Sequence, residues 1–129
     1  MKIIDKLIPI NKYNRPGSKS TPKRICVHYT GQAGTDADRL ALFYSNVATG
    51  RFPNKPNNWT STQYIVGLNG KVIRVVPDNE TAYAASGKNA GTLHIEVCYS
   101  KASGEFETAS MSALRELVQY LMKKYNISA

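Results

Sequence analysis

Two short β-branched runs carry the side chains of this chain best suited to chemistry. The first is Ile25-Cys26-Val27-His28-Tyr29-Thr30, followed by Gly31; the second is Leu93-His94-Ile95-Glu96-Val97-Cys98. Side chains alternate between the faces of an extended strand. Cys26, His28 and Thr30 therefore share one face of the first run, and His94, Glu96 and Cys98 one face of the second. An imidazole and a carboxylate are the groups that take up and return protons near neutral pH once their surroundings tune them. His28 falls at the C-terminal rim of its strand, beside a loop, where such groups meet ligands. Glu96 is a charge inside an otherwise apolar strand, the local inconsistency expected of a functional site. Each also has a plainer reading: His28 as a structural residue, Glu96 on the solvated face of an edge strand. Cys26 and Cys98 read as small apolar strand residues. The chain has no C-x-x-C spacing, which excludes a zinc knuckle.

The rest of the chain must position these runs. Residues 1–22 read as an ordered arm whose Ile3, Ile4, Leu7, Ile8 and Ile10 cover apolar surface, while Pro9, Pro16, Gly17 and Pro22 prevent a long helix. A strand over 24–30 follows. Thr35 is the expected N-cap of a helix with Asp36 and Asp38 at its positive end. Leu40, Phe43, Tyr44 and Val47 form its apolar stripe and Gly50 ends it. Residues 51–59 are rich in proline and asparagine and read as a long loop, with Trp59 stacking on a ligand or anchoring the loop. A hairpin is expected from strands over 64–66 and 72–76 around Leu68-Asn69-Gly70. A strand over 93–99 and a helix over 109–125 complete the chain. In that helix Met111, Leu114, Leu117, Val118, Leu121, Met122 and Tyr125 form a core-facing stripe, with Thr108 or Ser110 as its cap. Strands and helices alternate, which points to an α/β fold: a central mixed β-sheet flanked by helices.

Length and composition narrow the function classes. A chain of 129 residues suits one domain with one core. Seventeen basic against nine acidic residues give a net charge of +8, which favours polyanionic partners such as nucleic acid, anionic lipid or an acidic wall polymer. The basic residues are scattered and do not alternate with stacking aromatics, which argues against nucleic acid. Two cysteines are too few for a disulfide framework. The first ten residues hold Lys2, Asp5 and Lys6 and lack a cleavage site, so they are not a signal peptide. No apolar run has the length of a membrane span. The chain is expected to be made in the cytoplasm and, if it leaves, to need an exit route supplied by another protein.

Taken in order, several segments resemble the zinc-dependent N-acetylmuramoyl-L-alanine amidases of type 2, above all the catalytic domains of phage and prophage endolysins. They are Asn14-Arg15-Pro16-Gly17, then the run through His28, then Ser61-Thr62-Gln63-Tyr64-Ile65-Val66 with Asn69-Gly70. Pro77-Asp78-Asn79-Glu80, Ala82-Tyr83 and Thr92-Leu93-His94-Ile95-Glu96-Val97-Cys98 with the long helix after it complete the set. The resemblance spans nearly the whole chain and implies the fold shared with peptidoglycan recognition proteins. It implies a peptidoglycan hydrolase that uses a zinc-bound water to cleave the amide between N-acetylmuramic acid and the L-alanine of the stem peptide. Peptidoglycan would be the partner, with no nucleic acid and no membrane.

By position, the resemblance makes His28 a zinc ligand and Glu96 the catalytic acid–base, with Tyr29, Thr30, Gln63, Tyr64 and Tyr83 on the substrate side. Gln63 and Ala84 stand where histidine is common, and His94 where glycine is usual; beside Glu96 on one strand face, His94 is expected to fill space or to tune the carboxylate. The family takes its second histidine and its cysteine or aspartate ligand from a segment after the long helix. Residues 1–129 are therefore expected to be a catalytic domain lacking that segment. The remaining zinc ligands are expected beyond residue 129, and the chain as written is expected to hold zinc poorly. A non-catalytic peptidoglycan-binding module on the same fold is the competing reading, because it needs the groove but no metal.

Overall fold

The computed structural model describes residues 1–51, 59–85 and 87–128. Its chain order is β1 (Ile4–Asp5), β2 (Arg24–Tyr29), α1 (Ala37–Ala48), β3 (Tyr64–Val66), β4 (Val72–Arg74), β5 (Thr92–Val97) and α2 (Thr108–Tyr125). The five strands form one mixed sheet in the order β1-β4-β3-β5-β2. Only β3 and β4, joined by the tight turn, run antiparallel; the other three pairings are parallel. Most of the expected loop over 51–59 lies outside the described residues. Its end, Trp59, is half exposed and packs against Tyr13.

The two faces of the sheet are covered by different helices, as strand alternation requires. Leu93, Ile95 and Val97 of β5 join Tyr64, Val66 and Val72 under α2, where Leu117 and Leu121 are fully buried. Burying each of those leucines contributes about 1.5–3 kcal/mol. On the opposite face Ile65, Ile73 and Cys98 pack under Ala37, Ala41 and Tyr44 of α1. His94 and Glu96 have the same parity as Cys98, so they belong to the α1 face. β5 lies between β3 and β2. The edge-strand reading of Glu96 is thereby corrected: the edge belongs to β2.

The ends of the elements differ from expectation in informative ways. Asp36, not Thr35, caps α1: its Oδ1 accepts from Ala37 N–H at 2.7 Å and from Leu68 N–H at 2.9 Å. One carboxylate thus starts the helix and ties it to the hairpin turn. At α2 neither Thr108 nor Ser110 caps. Glu107 occupies the N-cap without a side-chain bond, and Ser110 Oγ instead donates to Gly67 O at 2.7 Å. Gly70 closes the hairpin at φ +85°, and a Cβ there would meet Ala109 O at 3.0 Å. Turn geometry and helix approach both require glycine at this point.

The arm is more ordered than a covering segment. Ile4 and Asp5 pair with Ile73 and Arg74, Arg74 grips Asp5 through Nε–Oδ1 (2.7 Å) and Nη2–Oδ2 (3.0 Å), and Ile8 is fully buried. Asn14, also fully buried, donates to Tyr44 O at 2.9 Å and Thr60 O at 3.2 Å. Arg15 makes a two-pronged ion pair with Glu80, Nε–Oε1 2.9 Å and Nη2–Oε2 3.0 Å. Asp78 accepts from the hydroxyls of both Tyr64 and Tyr125, fastening the end of α2 to the sheet. Among the described residues no helix is long and apolar enough to cross a membrane.

Candidate metal centre and cleft

β2 and β5 run parallel in a register that sets Cys26 beside His94 and His28 beside Glu96. All four side chains share the face turned towards α1. His28 Nε2 lies 2.9 Å from His94 Nδ1, and Cys26 Sγ completes a group whose three donor atoms lie within 4.8 Å of one another. It is the one such cluster of histidine, cysteine or acidic donors among the described residues.

His94 is held from every side. Its ring is fully buried, its N–H donates to Gln63 Oε1 at 2.8 Å and its carbonyl accepts from Thr62 Oγ1 at 2.9 Å. Gln63 Nε2 in turn donates to Glu80 O at 2.9 Å. On the far side of the ring, His94 Nε2 is 3.0 Å from Asn89 Oδ1. Burial pushes the His94 imidazole down to about 4, with the neighbouring His28 adding to the effect. Burial also lowers His28. Both rings are therefore neutral at pH 7, the form that can offer a lone pair.

Glu96 behaves in the opposite sense. Burial raises its carboxyl to about 7, because charge is costly where water is scarce. Its Oε2 has no hydrogen-bond partner among the described residues. The same side chain lines a cleft of about 380 Å³ with Thr30, Gln32, Thr35, Arg39 and Thr60. Glu96 thus joins two features: it neighbours His28 in the sheet and opens onto the cleft. A carboxyl balanced between its charged and neutral forms at such a place can pass protons in either direction.

The expected substrate-side residues divide. Thr30 lines the cleft. Tyr29 is 65% exposed, but strand alternation turns it to the other face, where it packs against Tyr99. Gln63 and Tyr64 are fully buried. Gln63 braces His94 from behind, and Tyr64 faces the α2 core with its hydroxyl on Asp78. Both are corrected from substrate contacts to supports. Tyr83 is partly buried and exchanges bonds with Ser61, its N–H donating to Ser61 Oγ and its carbonyl accepting from Ser61 N–H, each at 2.9 Å. His94 is no space-filler, since both ring nitrogens are engaged. Sequence reasoning missed Cys26 and Asn89 as partners of this centre and Arg39 in the cleft. Cys26 was visible two residues before His28 on one strand face; nothing local announced the other two.

A family model described as N-acetylmuramoyl-L-alanine amidase matches residues 18–129. The chain belongs to that family. It is 32% identical over 132 residues to the N-acetylmuramoyl-L-alanine amidase XlyA of Bacillus subtilis (strain 168), a match covering 99% of this chain and 41% of that protein. The chain thus spans about two fifths of the length of this curated relative. The catalytic domain of XlyA superposes with a TM-score of 0.81 at 30% identity, covering 99% of this chain and 80% of that one. The Drosophila peptidoglycan recognition protein SD shares the fold, with a TM-score of 0.70 at 17% identity over 98% of this chain and 78% of its own. The mixed five-stranded sheet and flanking helices of this amidase-family domain agree with the α/β architecture expected from the sequence.

Proposed function

We propose that this domain hydrolyses the amide between the lactyl group of N-acetylmuramic acid and the L-alanine of the peptidoglycan stem, as a zinc hydrolase. The observation that carries the reading is Glu96: a half-buried carboxyl raised to about 7 by burial, its Oε2 without a hydrogen-bond partner among the described residues, beside His28 and open to the cleft. Family membership supplies the substrate class. Two neutral imidazoles and a thiol gathered within 4.8 Å are a donor set of the kind zinc takes, and His28 is the ligand that this reading requires. A bound zinc polarises the scissile carbonyl and acidifies the attacking water.

The chain's own residues account for the proton movements. Glu96 takes a proton from the attacking water as the new C–O bond forms. It returns that proton to the alanine nitrogen as the C–N bond breaks, so the amine leaves neutral. Arg39 pairs with no acidic side chain among the described residues and stands in the cleft wall, suited to an anionic stem peptide. We place the reaction at the cell wall, reached after release from the cytoplasm.

The test uses purified peptidoglycan and counts newly exposed alanine amines against reducing sugar ends. Amines should appear without reducing ends. Glu96→Gln should lower the rate about 10²- to 10⁴-fold, the usual worth of a positioned acid–base, while bound metal is retained. Undiminished turnover by that variant would assign the proton transfers elsewhere. Wall binding without amine release would point to a binding module on this fold.

A further inference from the structure

We infer that the pocket between the arm and the start of β2 and β5, walled by Lys19, Lys23 and Arg24, is a phosphate-recognition site that docks the domain on a phosphodiester-linked anionic polymer of the cell wall. The inference takes from the proposed function only the place of work, the wall; the site is read from this chain's own residues. It stands apart from the cleft. Arg24 pairs with Thr92, and His28 with Glu96, in the same two parallel strands. The pocket therefore lies four residues, about 13 Å of strand, from His28 and Glu96. Among the described residues none lines both openings.

The charges of this pocket are not balanced within the chain. Its volume is about 320 Å³, and no acidic side chain lines it among the described residues. Nor does Lys19, Lys23 or Arg24 form an ion pair with any of them. Lys19 feels the charge of Glu80 across their backbone bridge, but both Glu80 oxygens are held by Arg15 and the side chain is 6% exposed. Three cations gathered without an anion repel one another, and a bound anion removes that repulsion.

The donors are set in advance. Arg24 Nη1 donates to Ala90 O and Thr92 Oγ1, each at 2.8 Å, two neutral acceptors that fix the guanidinium without discharging it. Its Nε and Nη2 have no partner among the described residues and form the planar fork that suits two oxygens of one phosphate. Ser20 Oγ accepts from Gly91 N–H at 2.6 Å, which leaves the hydroxyl proton of Ser20 to donate. The frame is tied down: Lys23 and Arg24 N–H both donate to Gly91 O, at 2.8 and 3.0 Å, and Ser20 N–H to Asn79 O at 2.9 Å. Gly91 keeps the space between the cations open, since a Cβ there would stand 3.7 Å from both Arg24 Nη1 and Lys23 Cδ. A carboxylate accepts in one plane, whereas a tetrahedral phosphate accepts from donors arrayed on several walls. Among the described residues no aromatic or large apolar side chain lines the pocket to stack on a base or enter a bilayer. A phosphate polymer without bases or acyl chains fits that lining.

The experiment uses the full 129-residue chain. It measures binding to poly(glycerol phosphate) in solution, and co-sedimentation with intact cell walls and with walls stripped of phosphodiester polymers by hydrofluoric acid. Retention on intact walls should fall with salt, be reversed by added poly(glycerol phosphate) and drop on stripped walls. Lys19→Gln with Lys23→Gln, both exposed, should weaken binding to poly(glycerol phosphate) about tenfold, the loss of two charged contacts. Lys2→Gln with Lys123→Gln removes the same two charges elsewhere on the surface and should change it less than about twofold. Arg24→Lys keeps the charge but loses the fork, and should weaken binding about three- to tenfold. Circular dichroism on each variant separates a lost contact from a lost fold. Equal losses in the two double variants would mean bulk charge without a site and would overturn the inference. So would undiminished binding in Lys19→Gln with Lys23→Gln, or binding to duplex DNA, polygalacturonate or anionic phospholipid vesicles as tight as to the phosphate polymer. Binding as expected with no amine release from stripped peptidoglycan would leave this site standing and overturn the proposed function. Amine release without affinity for the phosphate polymer would do the reverse.

Discussion

Replacing Glu80 by glutamine removes one half of an ion pair that is nearly closed to water: the Arg15 and Glu80 side chains are 13% and 6% exposed. Its two bonds, 2.9 and 3.0 Å, become one neutral bond and one contact between an amide NH₂ and a guanidinium N–H. Deleting one partner of a buried pair costs about 3–5 kcal/mol. Arg15 keeps its bond to Ile8 O at 2.7 Å, which sets the expectation at the low end, about 3 kcal/mol. Against a total stability of about 5–15 kcal/mol for a domain, that is a large loss. The carbonyl of Glu80 also holds Gln63, which holds His94, so the pair braces the metal centre through two hydrogen bonds. Urea denaturation at pH 7 in chelator, as a double-mutant cycle with Arg15→Met, should give a coupling above about 2 kcal/mol. Coupling below about 0.5 kcal/mol would refute the pair as a structural brace. The acid dependence has a definite sign. The Arg15 bond, assisted by its charge and that of Lys19 and opposed by burial, holds the Glu80 carboxyl below its ordinary 4.5. The pair's contribution is therefore fully present above about pH 4.5 and lost as pH falls through the lower folded value, so wild type and Glu80→Gln should converge in stability towards acid.

Two further outcomes are expected. Tyr125→Phe removes a hydroxyl that donates to Asp78 at the end of α2 and should cost about 1 kcal/mol, lowering the melting temperature by about 4 °C; an unchanged melting curve would mean that this end of the helix is held by packing alone. Arg39→Glu reverses the charge in the cleft wall and should raise KM for peptidoglycan fragments about three- to tenfold with little change in kcat, as expected for an exposed charge that binds rather than reacts; an equal fall in kcat would place Arg39 nearer the reacting bond.

Much of the architecture was legible locally. Alternation in the two β-branched runs assigned Cys26, His28, His94 and Glu96 to strand faces, and helical periodicity placed Leu114, Leu117 and Leu121 in the core, because both patterns repeat within a few residues. Asn69-Gly70 marked the hairpin for the same reason. The order of motifs was enough to reach the family, and His28 and Glu96 stood out as residues of unlike chemistry in apolar strands. Other features depend on partners far along the chain. β1 exists because residues 4 and 5 meet residues 73 and 74, and Thr35 lost the cap to Asp36 because Leu68 offers a second N–H there. The resemblance put Gln63 and Tyr64 on the substrate side, yet both are fully buried and act as supports. Above all, only strand register could bring Cys26 beside His94, 68 positions apart, and only the turn before β5 could bring Asn89 onto its ring. Residue types and local spacing state which groups are available for chemistry. Which of them share a metal, a proton or a cleft is decided by long-range pairing, which local sequence does not encode.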